Sequence, residues 1–181
     1  AARRCIYSMQ TDESELIART LSGDTVAYAE LVDRYKNAIY HHCFAIMRSE
    51  DLAEDLAQET FIAAYYQLKR YNPAYRLSTW LFKISTNKCL NELKKRRREV
   101  PADDAFLQTV ASTQPSPYQQ ATYGELRSAI MSLQPQYRAV ISLYYRQGLD
   151  YAGTAAAMDA PINSVRVWLR RAKAELRKEL S

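Results

Sequence analysis

The residues of this chain with the clearest capacity for chemistry are the cations near its C-terminus, in the segment 163–179. On a helical wheel, Val165, Leu169, Ala172 and Leu176 form one narrow apolar stripe, and the arginines fan across the opposite side. Guanidinium groups can fork onto guanine edges, and both arginine and lysine bind phosphates. The pattern favours a helix that buries one face and offers a basic face to an anionic partner. A solvated surface helix is the alternative.

The segment before this helix supplies the context that positions it. "LDYAGTAAAM" predicts a short helix with Asp150 as its N-cap, and "DAPI" predicts a tight turn. Pro161 lies near the start of the second helix, where its missing N–H leaves no hydrogen bond unmade. A short helix of small residues, a tight turn and a basic second helix are typical of a helix-turn-helix that reads the DNA major groove.

The composition argues against several other kinds of function. The chain has 181 residues, a net charge of +5 and three cysteines, which are far apart and odd in number. This usage favours a reducing, cytoplasmic setting over a disulfide framework. No glycine falls in a phosphate-cradling loop, and "HHC" at 41–43 cannot close on one ion because consecutive helical side chains point about 100° apart. We therefore expect no catalytic activity, no metal and no cofactor. Because no apolar run approaches about 18 residues, we also expect no membrane insertion.

Helical periodicity along the chain predicts an all-α fold of two small helical domains joined by a flexible linker, the C-terminal one a helix-turn-helix. Residues 11–100 form the first predicted domain, after an N-terminal extension of residues 1–10. Residues 101–119 contain three prolines and little periodicity, which predicts the linker. Residues 120–181 form the second predicted domain, with helices over 120–132, 136–147, 151–158 and 163–179.

Charge is segregated between the predicted helices of the first domain. Asp51, Glu54, Asp55 and Gln58 recur at helical spacing and form an acidic-polar stripe, while the next helix ends in the cationic run 94–98. A second basic helix lies in the other domain. This arrangement favours two nucleic-acid-contacting elements together with an acidic surface for a basic protein partner. An acidic stripe that faces only solvent is the alternative.

Three stretches of the chain resemble a known family. "DLAEDLAQETFIAAYYQL" followed by "LSTWLFKISTNKCLNELKKRRR" resembles region 2 of the extracytoplasmic-function (ECF) sigma factors of bacterial RNA polymerase. "LQPQYRAVISLYYRQGLDYAGTAAAMDAPINSVRVWLRRAKAEL" resembles their region 4, so that the resemblance runs from Glu15 to Arg177. It implies that residues 11–100 correspond to region 2 and residues 120–181 to region 4.

The resemblance implies a subunit that binds core RNA polymerase and directs promoter-specific transcription initiation. The polymerase would supply the chemistry, and an anti-sigma factor, often membrane-anchored, would control the subunit. The competing interpretation is a conventional helix-turn-helix regulator that uses only the second domain and is not a polymerase subunit. The acidic helix and the "WLFKISTN" segment favour the sigma factor, because a conventional regulator has no need for an element that reads single-stranded DNA.

The resemblance also assigns roles to individual residues. The partners would be the clamp and flap of the core polymerase and promoter DNA, with the clamp contacted by Asp51, Asp55, Gln58 and Glu59. The minus-ten element, including an unpaired base, would be bound by Tyr71, Asn72, Asn87, Lys88, Lys94 and Arg97. The minus-thirty-five element would be bound in the major groove by Asn163, Arg166, Val167, Arg170, Arg171 and Lys173. Arg166 and Arg170 are the best candidates for base edges, and Arg171 and Lys173 for phosphates.

The helix-turn-helix departs from the family's usual pattern at several positions. Gly153, Thr154 and Ala155 stand where an acidic residue followed by Ile–Ala is usual, and a glycine within a helix costs about 1 kcal/mol relative to alanine. Asp159 replaces the usual glycine of the turn, and it tolerates a left-handed backbone better than most residues. Asn163 stands where a second glycine is common, and it is a candidate cap for the recognition helix.

Overall fold

This computed structural model describes residues 13–99 and 120–181, which contain eight α-helices and no strand. The all-α prediction is confirmed, whereas the predicted extension 1–10 and linker 101–119 lie outside the described residues. The helices are α1 (13–21), α2 (Thr25–Met47), α3 (Glu50–Gln67), α4 (Leu77–Glu99), α5 (Gln120–Ser132), α6 (Pro135–Ile141), α7 (Tyr151–Met158) and α8 (Ile162–Glu179). We call α1–α4 the first block and α5–α8 the second block.

Local sequence signals start and stop the helices of the first block. The Asp24 carboxylate accepts hydrogen bonds from the backbone N–H groups of Val26 and Ala27 at the start of α2. Arg48 ends that helix in the left-handed conformation, with φ 62°. The Ser49 side chain then caps α3, and acidic residues in the first turn complement the positive end of the helix dipole. These caps explain why α2 and α3 form an antiparallel pair with a very short connection.

The core of the first block comes from an apolar stripe of α2 and the inner faces of α3 and α4. Leu31, Ile39 and Cys43 on that stripe are buried. The buried side of α3 is formed by small and aromatic residues, and the buried side of α4 includes Leu81 and Phe82. Burying this apolar surface leaves the polar sides of α3 and α4 facing outward, which is where the predicted partner-binding residues lie.

The second block contains the predicted helix-turn-helix. Asp150 caps α7 by accepting a hydrogen bond of 2.6 Å from the Gly153 N–H, as predicted. Asp159 ends α7 in the left-handed conformation, with φ 50°. The predicted helix 136–147 instead begins at Pro135 and turns π-helical over Ser142–Arg146, where the Gln147 N–H reaches the carbonyl five residues earlier.

The two blocks pack against each other through α2, α4, α6 and α7. His42 of α2 is fully buried between them, with Nδ1 3.0 Å from Ser142 Oγ and Nε2 2.9 Å from Thr86 Oγ1. Burial lowers the pKa of His42 to about 3, so the imidazole is neutral and pairs one donor and one acceptor with the two hydroxyl groups. The sequence prediction of two separate domains left this packing open.

Candidate nucleic-acid and polymerase interfaces

The recognition helix α8 presents all six residues that were predicted to bind the minus-thirty-five element. Val165, Leu169 and Ala172 are buried and fix the rotation of the helix. The predicted residues are all exposed on the remaining surface: Asn163, Arg166, Val167, Arg170, Arg171 and Lys173. The expectation that Asn163 caps the helix is wrong, because Pro161 occupies the N-cap position and Asn163 lies within the first turn.

Tyrosines of the second block hold two of these cations, a relationship that the sequence analysis missed. The Arg166 guanidinium lies 5.6 Å from the centre of the Tyr151 ring, and the Lys173 ammonium lies 5.4 Å from that of Tyr145. Tyr144 contacts both rings, at centroid distances of 5.0 Å. The clustering of tyrosines in "LYYRQGLDY" was the available signal. In the described part of the chain, neither Arg170 nor Arg171 has an ion pair or ring contact.

Four polar residues predicted to bind the polymerase lie on one exposed face of α3. Its opposite face is buried, so the side chains of this group point to solvent: Asp51, Asp55, Gln58 and Glu59. The Glu59 carboxylate lies 2.8 Å from the Lys88 ammonium of α4, which was predicted to bind the minus-ten element. The structure therefore joins a predicted protein-binding residue to a predicted DNA-binding residue at the border of the two surfaces.

The loop between α3 and α4 separates its two tyrosines into different environments. Tyr71 is partly buried, and its ring lies 5.4 Å from that of Trp80 at a tilt of 54°. The Tyr71 hydroxyl donates a hydrogen bond of 2.5 Å to the Tyr75 carbonyl. Burial, followed by the nearby Glu13 carboxylate, raises the pKa of Tyr71. The Asn72 side-chain oxygen accepts a hydrogen bond of 2.9 Å from the Ala74 N–H, which tightens the loop. Tyr75 is 59% exposed and is the aromatic ring that this loop presents to solvent.

The predicted DNA-binding residues of α4 are spread along the helix rather than gathered at one point. Asn87 and Lys94 lie within about 20° of each other on the wheel, whereas Lys88 is turned towards α3. Arg97 is exposed in the last turn. At about 1.5 Å per residue, Asn87 and Arg97 lie about 15 Å apart along the helix axis.

The described residues contain neither a metal-binding cluster nor a membrane-spanning helix. Within residues 13–99 and 120–181, no three His, Cys, Asp or Glu side chains are grouped so as to hold an ion. In the same ranges, no helix is both long and apolar enough to cross a membrane. Cys43 and Cys89 are free thiols in the core of the first block.

Comparison with known proteins identifies the family. The family model for Sigma-70 region 2 matches residues 31–99, and that for Sigma-70 region 4 matches residues 123–176. The ECF RNA polymerase sigma factor SigW of Bacillus subtilis is 30% identical, over 91% of this chain and 94% of SigW. The chain belongs to the ECF sigma factors. This finding confirms the predicted function: an ECF sigma factor binds core RNA polymerase and directs promoter-specific initiation, and the conventional regulator is the weaker interpretation.

Further relatives and solved structures agree with this membership. SigM of Bacillus subtilis is 29% identical to this ECF sigma factor, over 82% of the chain and 91% of SigM. The fold is similar to that of CnrH in complex with the cytosolic domain of CnrY (TM-score 0.69, 24% identity, 93% of this chain and 97% of that chain). It is also similar to that of RpoE in complex with the anti-sigma factor NepR from Bartonella quintana (TM-score 0.73, 24% identity, 84% and 96%). Sigma factors act as transcription initiation factors, and the polymerase to which they bind carries out the catalysis.

Proposed function

We propose that three surfaces of this ECF sigma factor divide the work of initiation between polymerase and promoter. Residues 11–100 act as region 2 and bind the polymerase clamp and the minus-ten element. Residues 120–181 act as region 4 and bind the minus-thirty-five element, with the polymerase flap as the nearby protein partner. The observation that carries this proposal is that one chain exposes two basic helices, α4 and α8, and one acidic helix face, on α3.

The polymerase-binding surface is the exposed face of α3 that contains Asp51, Asp55, Gln58 and Glu59. Carboxylates concentrated on one rigid helix favour a basic partner and speed its association. In the free chain Lys88 pairs with Glu59, because their charged groups lie 2.8 Å apart, and it therefore competes with the polymerase for this carboxylate. Lys88 would then move to a promoter phosphate when the polymerase contacts Glu59.

The minus-ten surface consists of the α3–α4 loop and the outer side of α4. Tyr71 and Asn72 shape the loop through their internal hydrogen bonds, and Tyr75 offers an exposed ring on which an unpaired base can stack. Asn87 would contact a base edge. The cations would contact phosphates: Lys88, Lys94 and Arg97.

The minus-thirty-five surface is the exposed side of α8. Arg170 lies near the middle of that side, where Arg166 and Lys173 flank it on tyrosine rings. A stacked cation loses less conformational freedom when it binds, which favours a fixed geometry against DNA. Val167 is 36% exposed and can contact a thymine methyl group. Asn163 extends the surface towards the start of the helix, and Arg171 lies at one side of it.

We propose that this sigma factor works in the cytoplasm, where polymerase and promoter are, under the control of an anti-sigma factor. Support comes from the structure of a sigma factor similar in fold, RpoE, which was solved bound to the anti-sigma factor NepR. An anti-sigma factor with a membrane anchor would hold the protein at the membrane until release. The described residues themselves contain no helix that could span a bilayer.

Run-off transcription with bacterial core polymerase tests the proposal. The polymerase is incubated with genomic fragments, with and without the sigma factor, and the 5′ ends of the transcripts are mapped. We expect new start sites that share two spaced upstream motifs. Core binding without any new start site, on templates from the native genome, would contradict the proposed division of roles.

A further inference from the structure

Lys83 lies on the proposed minus-ten surface, although its spacing did not single it out. It precedes Asn87 by one helical turn, and Lys83, Asn87 and Lys94 fall within about 40° on the wheel of α4. Lys83 also lines a groove of about 540 Å³ together with Asn72 and Tyr75 of the α3–α4 loop. Its position therefore joins the loop that would bind the unpaired base to the helix that would follow the strand.

The opposite wall of this groove belongs to the second block. It is formed by the end of α7 and the turn before α8, and Asp159 of that turn places its carboxylate 2.8 Å from the Lys83 ammonium. Asp159 has φ 50°, a conformation that glycine adopts without cost and that most other residues avoid. Asp159 thus brings a carboxylate into the groove from a left-handed position, where glycine would leave the groove without this charge.

We infer that Lys83 is an additional DNA-contacting residue, and that Asp159 occupies in the free chain the place that a promoter phosphate takes in the open complex. The inference rests on the proposed assignment of α4 to the minus-ten element. A carboxylate oxygen and a phosphate oxygen are equivalent acceptors for an ammonium group, and Lys83 cannot pair fully with both. The packing of the two blocks and the binding of DNA therefore compete for one charge.

The exposure of the Lys83–Asp159 pair allows a DNA phosphate to replace the Asp159 carboxylate. The Lys83 and Asp159 side chains are 42% and 63% exposed, so solvent and salt screen their attraction. An exposed pair of this kind changes a binding constant by roughly two- to fivefold. The contacts of His42 and Arg138 between the blocks are buried, by contrast, and do not involve a charge that DNA could replace. The Lys83–Asp159 pair is thus the part of the interface that responds to a nucleic acid.

The test measures the affinity of the full chain, without polymerase, for fluorescent single-stranded DNA of mixed sequence and about 20 nucleotides. Asp159→Asn keeps the side-chain shape and tolerates the left-handed backbone, so the fold is retained. We expect it to tighten binding by roughly two- to fivefold. Adding Lys83→Gln should abolish that gain and lower the salt dependence by about 0.7 in log–log slope. Asp33→Asn is the matched control, because it removes the same charge from a pair with Lys36 inside one helix.

Two results would overturn the inference. One is an equal effect of Asp159→Asn and Asp33→Asn, and the other is a gain from Asp159→Asn that persists when Lys83 is glutamine. Run-off transcription with the unchanged chain separates this outcome from the proposed function. If the unchanged chain initiates transcription but Asp159→Asn does not tighten DNA binding through Lys83, only the inference is refuted. A chain that shows the gain but cannot initiate contradicts the proposed function instead.

Discussion

The Arg138 guanidinium of the second block donates a hydrogen bond of 2.8 Å to the backbone carbonyl of Ala45 in the first block. It also donates to the Ile46 carbonyl, so that a buried cation closes the C-terminal end of α2, where the helix dipole is negative. Burial and then the nearby Arg48 charge lower the pKa of Arg138 to about 10, which leaves it protonated at neutral pH. A single side chain therefore satisfies carbonyls that helix α2 leaves unpaired and joins the two blocks.

Arg138→Leu should destabilise the chain by about 1–3 kcal/mol, because it leaves buried carbonyls without a donor. Urea unfolding followed by circular dichroism measures the change. Arg171→Leu is the matched control, because Arg171 is exposed on α8 and has no ion pair within the described residues. Equal stability of the two variants would show that Arg138 does not hold the interface.

His42 should make stability fall as the pH is lowered. The pKa of His42 is about 3 in the folded chain and near its ordinary value of 6.5 in the unfolded chain, so between these values the unfolded state binds the additional proton. The contribution of neutral His42 to the free energy of unfolding is complete above about pH 6.5. It decreases towards pH 3 by at most about 1.4 kcal/mol per pH unit.

Urea unfolding at a series of pH values, with His42→Gln beside the unchanged chain, isolates this contribution from that of the carboxylates. The slope between pH 6.5 and 5 should be smaller in the variant. His41→Gln serves as the control, because His41 is less buried and its pKa is lowered from the same ordinary value mainly by partial burial. An unchanged slope in His42→Gln would contradict the prediction.

Asp55→Lys should prevent assembly with core polymerase, because it reverses a charge in the centre of the exposed α3 face. Co-elution of the chain with core polymerase in gel filtration measures assembly. Asp33→Lys introduces the same change in charge on α2 and should assemble normally. Retained assembly of the Asp55 variant would place the polymerase-binding surface elsewhere.

Arg170→Ala should weaken binding to the minus-thirty-five element by about 1–3 kcal/mol without affecting core binding. Run-off mapping first identifies a promoter. The measurement then compares the affinity of the holoenzyme for this promoter with its affinity for the same promoter with a scrambled upstream motif. Arg177→Ala, in the last turn of the same helix, controls for the loss of one positive charge. A variant that keeps the full preference for the intact motif would remove Arg170 from base recognition.

Tyr75→Ala should impair promoter opening more than binding to closed duplex, since stacking of an unpaired base on an aromatic ring contributes about 1–3 kcal/mol. Tyr75→Phe keeps the ring and should open the promoter normally. Permanganate reactivity of unpaired thymines measures opening, and a filter assay measures total binding. If Tyr71→Ala alone impaired opening, the base contact would belong to the partly buried Tyr71 and not to the exposed Tyr75.

Local interactions explain what the sequence by itself determined about this protein. The N-cap of α7 depends on Asp150 and on a backbone N–H only three positions away, so the residue type was sufficient to predict it. The apolar stripes of α2 and α8 fixed which faces are buried and hence which charges are exposed. The all-α fold, the helix-turn-helix and the separate acidic and basic faces followed from these patterns.

Only the tertiary structure decided which residues meet across the chain. Lys83 and Asp159 are 76 positions apart, Arg138 and Ala45 are 93 apart, and His42 and Ser142 are 100 apart. No local pattern encodes such pairs, because they depend on how two blocks with their own cores rotate against each other. The difference between the partly buried Tyr71 and the exposed Tyr75 has the same origin, since it depends on how the loop folds over Trp80. Periodicity determines which side of a helix is apolar. The packing of the helices determines which distant residues that side, and the polar residues beside it, contact.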